Sequence, residues 1–200
     1  MESNYAKIVK ENLDKLYSQL PNDIEIFIPA ERKGDVFEFS AFGGVCTIQP
    51  DGIFIDAKKQ DEAMGILVSL YALQANTEPC RLEPFKAFKE FPDSMPYIGA
   101  FTTHTENILL PHVKKIKTSR QNIIDRLGDR ETPPDITGDF SFVVYPLPKI
   151  ALCYIFYDAD DDFPPSVTCL FSNNALSFLP IAAMADVGEY TSKVIIDMVQ

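Results

Sequence analysis

Four aspartates within five positions, at the end of an apolar stretch, are the residues of this chain whose type and spacing best suit chemistry. They are Asp158, Asp160, Asp161 and Asp162. Mutual repulsion makes such a cluster costly unless a cation, a helix N-terminus or water relieves it. Because hard cations take several carboxylate oxygens, one hypothesis is a Mg²⁺ or Ca²⁺ site formed by these side chains.

A calcium loop of the EF-hand type is excluded by the residues that follow the cluster. Asp158, Asp160 and Asp162 match the first three ligands of such a loop. Phe163, however, stands where the loop needs glycine for its bend, and Cys169 stands where it needs a bidentate glutamate. The alternative is an Asp-rich turn whose side chains accept backbone hydrogen bonds and keep a sheet edge soluble, and we favour it over the metal site.

The histidines form no recognisable catalytic motif. There are two, His104 and His112. The stretch around His104 predicts the start of a helix, with Thr103 or Thr105 as the N-cap. The sequence therefore leaves open whether the chain is an enzyme.

The four cysteines have neither the number nor the spacing of a disulfide scaffold or a zinc site. Three of them fall in apolar, strand-like runs and are predicted to be buried thiols: Cys46, Cys153 and Cys169. Cys80 lies between Pro79 and Arg81 and is the cysteine expected near the surface, where a neighbouring cation lowers a thiol pKa.

Charge and hydropathy exclude two classes of partner. The net charge of −11 and the pI near 4.6 predict repulsion of nucleic acid and of anionic lipid. A local basic stretch contains Lys114, Lys115, Lys117, Arg120, Arg126 and Arg130, and we interpret it as a solvated helix face. The chain starts without a signal peptide and has no apolar run long enough to span a bilayer, so we expect a cytoplasmic protein without a membrane partner.

Apolar spacing predicts the elements that position these residues. Periods of three and four predict a helix over 5–20, a central helix over 61–77, a helix from Leu109 that ends at Gly128, and a closing helix interrupted near Gly188. Alternating residues predict two blocks of antiparallel strands, at about 36–57 and 139–172. A hairpin turn at Gly43-Gly44 falls in the first block, and three strands are expected in the second.

The remaining segments connect these elements. Residues 84–101 are rich in aromatic side chains and are predicted to form a packed loop with a short helical turn, and residues 129–138 are predicted to form a second loop. Nothing in the sequence divides the chain, so we expect one domain over residues 1–200. Helices and antiparallel strands in separate blocks predict the α+β class, with about four helices.

Several motifs, in this order, resemble an uncharacterised family of unknown function from anaerobic bacteria and archaea. They are the run Ile66–Leu73, the segment Tyr97–Phe101, the Leu147-Pro148 turn and the Asp-Asp-Asp-Phe-Pro turn at 160–164. The resemblance covers about residues 35–198. The family pattern often has Trp and Glu where this chain has Tyr157 and Asp162. The resemblance implies a cytoplasmic protein of an anaerobe that acts near cofactor metabolism, and it assigns no reaction.

Two function hypotheses follow. The first is a non-catalytic binding or accessory domain for a small ligand or a protein partner, because the chain has an ordinary core and no catalytic constellation. The second is a divalent-metal-dependent enzyme or sensor that uses Asp158, Asp160, Asp161 and Asp162. The function itself is not specified by the sequence.

Overall fold

The computed structural model describes residues 3–128 and 136–200. Arg130 and most of the predicted loop at 129–138 therefore lie outside the described residues.

The N-terminal half begins with helices and continues as an antiparallel meander. Its elements are α1 (Asn4–Ser18), α2 (Ile24–Phe27), β1 (Glu31–Lys33), β2 (Val36–Ala41), β3 (Gly44–Gln49), β4 (Gly52–Ile55) and β5 (Lys58–Lys59). The five strands pair in chain order. The β2–β3 turn consists of Phe42 and Gly43, which both have positive φ, whereas Gly44 already belongs to β3. The hairpin prediction is thus correct, but its turn lies one residue earlier than predicted.

Helix α3 (Ala63–Leu73) is central, as its apolar circumference predicts. It packs against α1, and Asn12 of α1 donates a hydrogen bond to the Ser69 hydroxyl at 2.9 Å. The N-cap position is held by Glu62, which makes no capping hydrogen bond with its side chain.

The second sheet has four strands rather than the three predicted. Its elements are β6 (Lys86–Ala87), β7 (Phe140–Leu147), β8 (Ile150–Tyr157) and β9 (Ser166–Phe171), in the order β6-β9-β8-β7. The extra strand comes from the aromatic segment, where two residues pair with the end of β9. Such a short strand has no detectable alternation in sequence. The two sheets meet where the Phe42 amide donates to the Pro146 carbonyl at 2.8 Å.

Helical structure starts earlier than predicted after the aromatic segment. It includes α4 (Ile98–Phe101), a π-helical turn (Thr102–Glu106), a 3₁₀ segment (Asn107–His112), α5 (Val113–Thr118) and α6 (Arg120–Leu127). The prediction of a helix start with Thr103 or Thr105 as the cap is therefore wrong. Thr103 instead donates to the Gly99 carbonyl one turn back, at 2.9 Å, and Thr105 is buried.

The closing helix α7 (Ile181–Val199) runs through Gly188 without the predicted interruption. A Cβ atom at Gly188 would lie 2.7 Å from the Phe101 ring and 2.8 Å from the Thr105 hydroxyl. Glycine is therefore present because the α4 segment and the π-helical turn approach the helix closely, and not because the helix ends there.

One large apolar cluster extends from Val9 in α1 to Val199 in α7 and lies between these helices and the two sheets. Separate antiparallel sheets with packed helices confirm the α+β class. Within the described residues, no helix combines the length and the apolar character needed to cross a bilayer.

Candidate functional site

The four aspartates lie in an exposed turn between β8 and β9, and two of them are held by protein groups. Asp158 forms an ion pair with Lys117, which raises the pKa of that lysine, and its amide donates to the Asp139 carboxylate at 2.6 Å. Asp160 accepts hydrogen bonds from the Asp162 amide at 2.9 Å and from the Phe163 amide at 2.7 Å.

These contacts are those of an Asp-rich turn that satisfies its own backbone donors. Over residues 3–128 and 136–200, no group of three or more His, Cys, Asp or Glu side chains is placed to hold a metal ion. The Mg²⁺ or Ca²⁺ assignment of Asp158, Asp160, Asp161 and Asp162 stays a prediction.

The two histidines lie in one helical region, and three of the cysteines are buried. His104 is exposed on the π-helical turn, and His112 ends the 3₁₀ segment. The buried thiols are where the sequence predicts them, and burial raises the pKa of Cys46 and of Cys153 to about 12. Cys169 is also fully buried, and burial raises its pKa as well.

Cys80 lies on an irregular segment, residues 76–85, that covers the outer face of the second sheet; we call this segment the strap. Beneath the strap is a small apolar cluster of Val143, Ala151 and Cys153. Strap residues Cys80, Leu82 and Phe85 pack against this cluster. The strap therefore forms part of the layer that covers this face of the second sheet.

Asn174 fastens the strap to the rest of the protein. Its side-chain oxygen accepts a hydrogen bond from the Arg81 amide at 2.8 Å, and its side-chain nitrogen donates to the Pro79 carbonyl at 3.0 Å. The same nitrogen lies 3.3 Å from the Glu78 carboxylate, and this hydrogen bond lowers the pKa of Glu78, as does Arg81. Asn174 is nearly buried, so its amide sets the path of the strap beside Cys80.

Where the strap begins, two adjoining cavities open between the two sheets; together we call them the junction cleft. Their volumes are about 390 and 460 Å³, and they share Pro29, Tyr145 and Pro148 as walls. The smaller cavity is also lined by Cys80 and Lys149, and the larger one by Ser40 and Arg126. Cavities of this size suit small-molecule ligands.

Lys149 is the unusual residue of the junction cleft. Its residue surface is only 6% exposed, and lysine is almost never buried to this degree without a paired acid. Its Nζ donates to the Asn76 carbonyl at 2.6 Å and lies 5.5 Å from the centre of the Phe178 ring. Burial lowers its pKa, and the charges of Cys80 and Glu78 oppose this effect in part.

The Lys149 ammonium group has more N–H donors than the described protein atoms engage. An ammonium group has three N–H donors, and the Asn76 carbonyl is the one acceptor that it meets among the described residues. Because Lys149 lines the cleft, the remaining donors are available to a ligand there. A lysine whose pKa is lowered by burial and which lines a cavity is a candidate for a binding site.

Lys149 was not singled out by the sequence analysis. A signal was nevertheless present, since the lysine interrupts the run Val143–Cys153, where apolar residues predominate. A charged residue in such a run lies at a turn, is exposed, or is buried because it has a structural or functional role. Here both the turn and the burial apply, because Pro148 and Lys149 connect β7 and β8.

Comparison with known proteins gives a family and no function. A family model described as a domain of unknown function, DUF3786, matches residues 21–194. No curated protein and no solved structure matches the chain.

Proposed function

We propose that this chain, which belongs to the DUF3786 family of unknown function, is a non-catalytic binding domain. It holds a small anionic ligand in the junction cleft. The observation that carries this proposal is the buried Lys149 ammonium group, which lines a cavity of about 390 Å³ and makes one hydrogen bond within the described chain. A cytoplasmic location is part of the same proposal.

We infer an anionic ligand because the cleft is lined by two cations, Lys149 and Arg126, and by one acid, Asp125, whose carboxylate accepts a hydrogen bond from the Gln121 side chain. Lys149 lies at one cavity and Arg126 at the other, and Arg126 donates to the Gly43 carbonyl at 3.1 Å through Nε. The outer guanidinium nitrogens of Arg126 can therefore face a ligand. A carboxylate or phosphate group that reaches Lys149 would supply the acceptors that the buried ammonium group lacks, and charge-assisted hydrogen bonds are the strong ones.

The ligand is small because the walls are apolar and close together. Pro29, Tyr145 and Pro148 lie between the two cavities and offer two proline rings and one aromatic ring as packing surface. A compact molecule with an apolar body and an anionic group matches this pattern of apolar walls with few polar groups.

The test is thermal unfolding of the full chain with inorganic phosphate and, separately, with succinate. Either ion at about 100 times its dissociation constant should stabilise the native protein by about 2.7 kcal/mol. Lys149→Met keeps the length of the side chain and removes the charge, so it should abolish the shift. Lys10→Met, at an exposed lysine of α1, is the matched control and should keep it.

Two results would contradict the proposal. One is a Lys149→Met protein that is stabilised by the anions as strongly as the native protein. The other is a native protein whose amide resonances at residues 76–80 and 149 do not move when saturating phosphate or succinate is added. Lys149→Arg adds a further check, since a planar guanidinium in place of the compact ammonium should weaken binding without abolishing it.

A further inference from the structure

A second cavity lies on another part of the surface, beside the turn that carries the four aspartates; we call it the lysine groove. Its volume is about 490 Å³. One side is formed by Lys114, Lys115 and Lys117, and apolar residues of its lining include Leu110, Val113 and Pro165. This combination of an apolar floor and a basic wall is suited to an acidic segment that carries an apolar side chain.

Two of the three lysines of the basic wall are not engaged in an ion pair within the described residues. Lys117 is paired with Asp158, but Lys114 and Lys115 form no ion pair within the described part of the chain. Both side chains belong to exposed residues of α5. In a protein of net charge −11, such a patch is a local exception that attracts an acidic partner.

The turn next to the groove has the complementary composition. Asp160, Asp161 and Asp162 are exposed, and the adjacent Phe163 is 71% exposed, although most large apolar side chains in this fold are buried. Hydrogen bonds from the Asp162 and Phe163 amides to Asp160 hold the turn in one shape. Because Phe163 is exposed, the turn does not insert its own ring into the groove beside it.

From this arrangement we propose that the chain forms a two-fold dimer in which the turn of each copy, led by Phe163, occupies the lysine groove of the other. In such an isologous interface a surface patch must be complementary to itself, so both halves must lie on one face. The groove and the turn share Asp158 and Pro165 as neighbours and meet this requirement. Asp161 and Asp162 of one copy then face Lys114 and Lys115 of the other.

The second copy is a better occupant than an unrelated acidic peptide because its matching segment is fixed in shape. A peptide must lose conformational freedom when it binds, whereas the Asp160-anchored turn is already ordered. In the dimer the Phe163 ring would be removed from water, whereas in the monomer it stays exposed.

Sedimentation equilibrium of the full chain tests the proposal. The native protein should show a concentration-dependent dimer that weakens when the salt concentration rises from about 0.05 M to about 0.5 M, because salt screens exposed charges. Phe163→Ser should weaken the dimer by about tenfold or more. Tyr5→Ser, at an exposed aromatic residue of α1, is the matched control and should leave it unchanged.

A charge exchange between two variants makes the test specific. The double variant Lys114→Glu with Lys115→Glu places acids opposite the acidic turn, and Asp161→Lys with Asp162→Lys places lysines opposite the basic wall. Each variant alone should be monomeric. Mixed in equal amounts, they should form a heterodimer, because both of its interfaces then pair opposite charges.

The proposal is overturned if the native chain sediments as a monomer at every concentration up to about millimolar, where even weak contacts associate. It is also overturned if a native dimer survives the groove and turn substitutions, or if the mixed variants stay monomeric. The substituted residues do not line the junction cleft, so anion binding measured on the same variants should be unchanged. Failure of one proposal is thus distinguishable from failure of the other.

Discussion

The two faces of the second sheet are built from alternate residues of the same strands, yet they are packed in different ways. On the inner face, β8 contributes Leu152, Tyr154 and Phe156, which lie against α7 and its neighbours in the large core. On the outer face the same strand contributes Ala151 and Cys153, which lie under the strap. At these five positions of β8 both faces are buried, and the side chains are larger on the inner face, whereas the next outer-face residue, Ile155, is half-buried.

The inner face is a closed aromatic and polar assembly. Phe142 lies 5.8 Å from Tyr154 and 5.4 Å from Phe156, measured between ring centres. The Tyr154 hydroxyl lies 3.0 Å from the Ser192 hydroxyl, which donates to the Thr105 carbonyl at 2.7 Å. A polar group satisfied in this way fixes one arrangement of the core.

The outer face has a layer without regular structure, held by a few side-chain hydrogen bonds. Small residues in the sheet let the strap lie close to it, and the strap leaves the junction cleft open where it begins. We therefore expect the inner face to contribute more to stability, and the proposed ligand would enter at the outer face. Sites that bind ligands are commonly drawn from the less stable parts of a fold.

The largest effect should come from the inner face. Phe142→Ala removes a fully buried ring and should lower the free energy of unfolding by about 3–5 kcal/mol. Cys153→Ala, at a buried residue of the outer face, should cost about 1 kcal/mol, since it removes a single heavy atom. Urea unfolding of both variants measures the contrast. Equal costs would show that the two faces contribute alike.

An intermediate effect is expected where the strap is fastened. Asn174→Ala leaves the Arg81 amide and the Pro79 carbonyl without their partner, so it should lower the free energy of unfolding by about 1–3 kcal/mol. Amide hydrogen exchange should become faster within residues 76–85 and stay unchanged in α7. Faster exchange throughout the protein would mean that the strap and the core unfold as one unit.

A smaller effect, of opposite sign, is expected at the junction cleft. Because burial lowers the pKa of Lys149, the fold disfavours its charged form relative to the unfolded chain. Lys149→Met removes this desolvation cost and gives up one hydrogen bond to the Asn76 carbonyl, so it should raise the free energy of unfolding at neutral pH by no more than about 1 kcal/mol. Thermal and urea unfolding in anion-free buffer measure this change. A clear loss of stability would assign the lysine to the structure rather than to a ligand.

The smallest effect is a dependence on pH at the inner face. Glu106 accepts a hydrogen bond from the Cys169 amide at 3.0 Å, and burial raises its pKa above the ordinary value of 4.5. The folded protein thus holds this proton more tightly than the unfolded chain. The contribution of Glu106 to the free energy of unfolding should therefore fall as pH rises from about 4.5 through the raised pKa of the folded state.

Glu106→Gln keeps an acceptor for the Cys169 amide and removes the titration. Urea unfolding between pH 4 and pH 8 should give a flatter profile for this variant than for the native protein, by less than about 1 kcal/mol over the range. An unchanged profile would show that another group causes the dependence.

Local patterns in the sequence determined much of this molecule. Alternating and three-four spacing predicted the α+β class, α1, α3 and the long strands, because these patterns report which side chains leave water together. The burial of Cys46, Cys153 and Cys169 followed from the same patterns. The part of the Asp-rich turn around Asp160 was also predictable, since its hydrogen bonds from the Asp162 and Phe163 amides join residues at most three positions apart.

The tertiary structure alone decided what lies between distant segments. The two-residue strand β6 exists because the end of β9 pairs with it. Helix α7 continues through Gly188, where the α4 segment and the π-helical turn pack closely against it. Lys149 is buried because the strap, which begins at Asn76, 73 positions away, packs over it. No local pattern encodes such a contact, because the free energy of burying a charge depends on the groups that surround it, and those come from far along the chain.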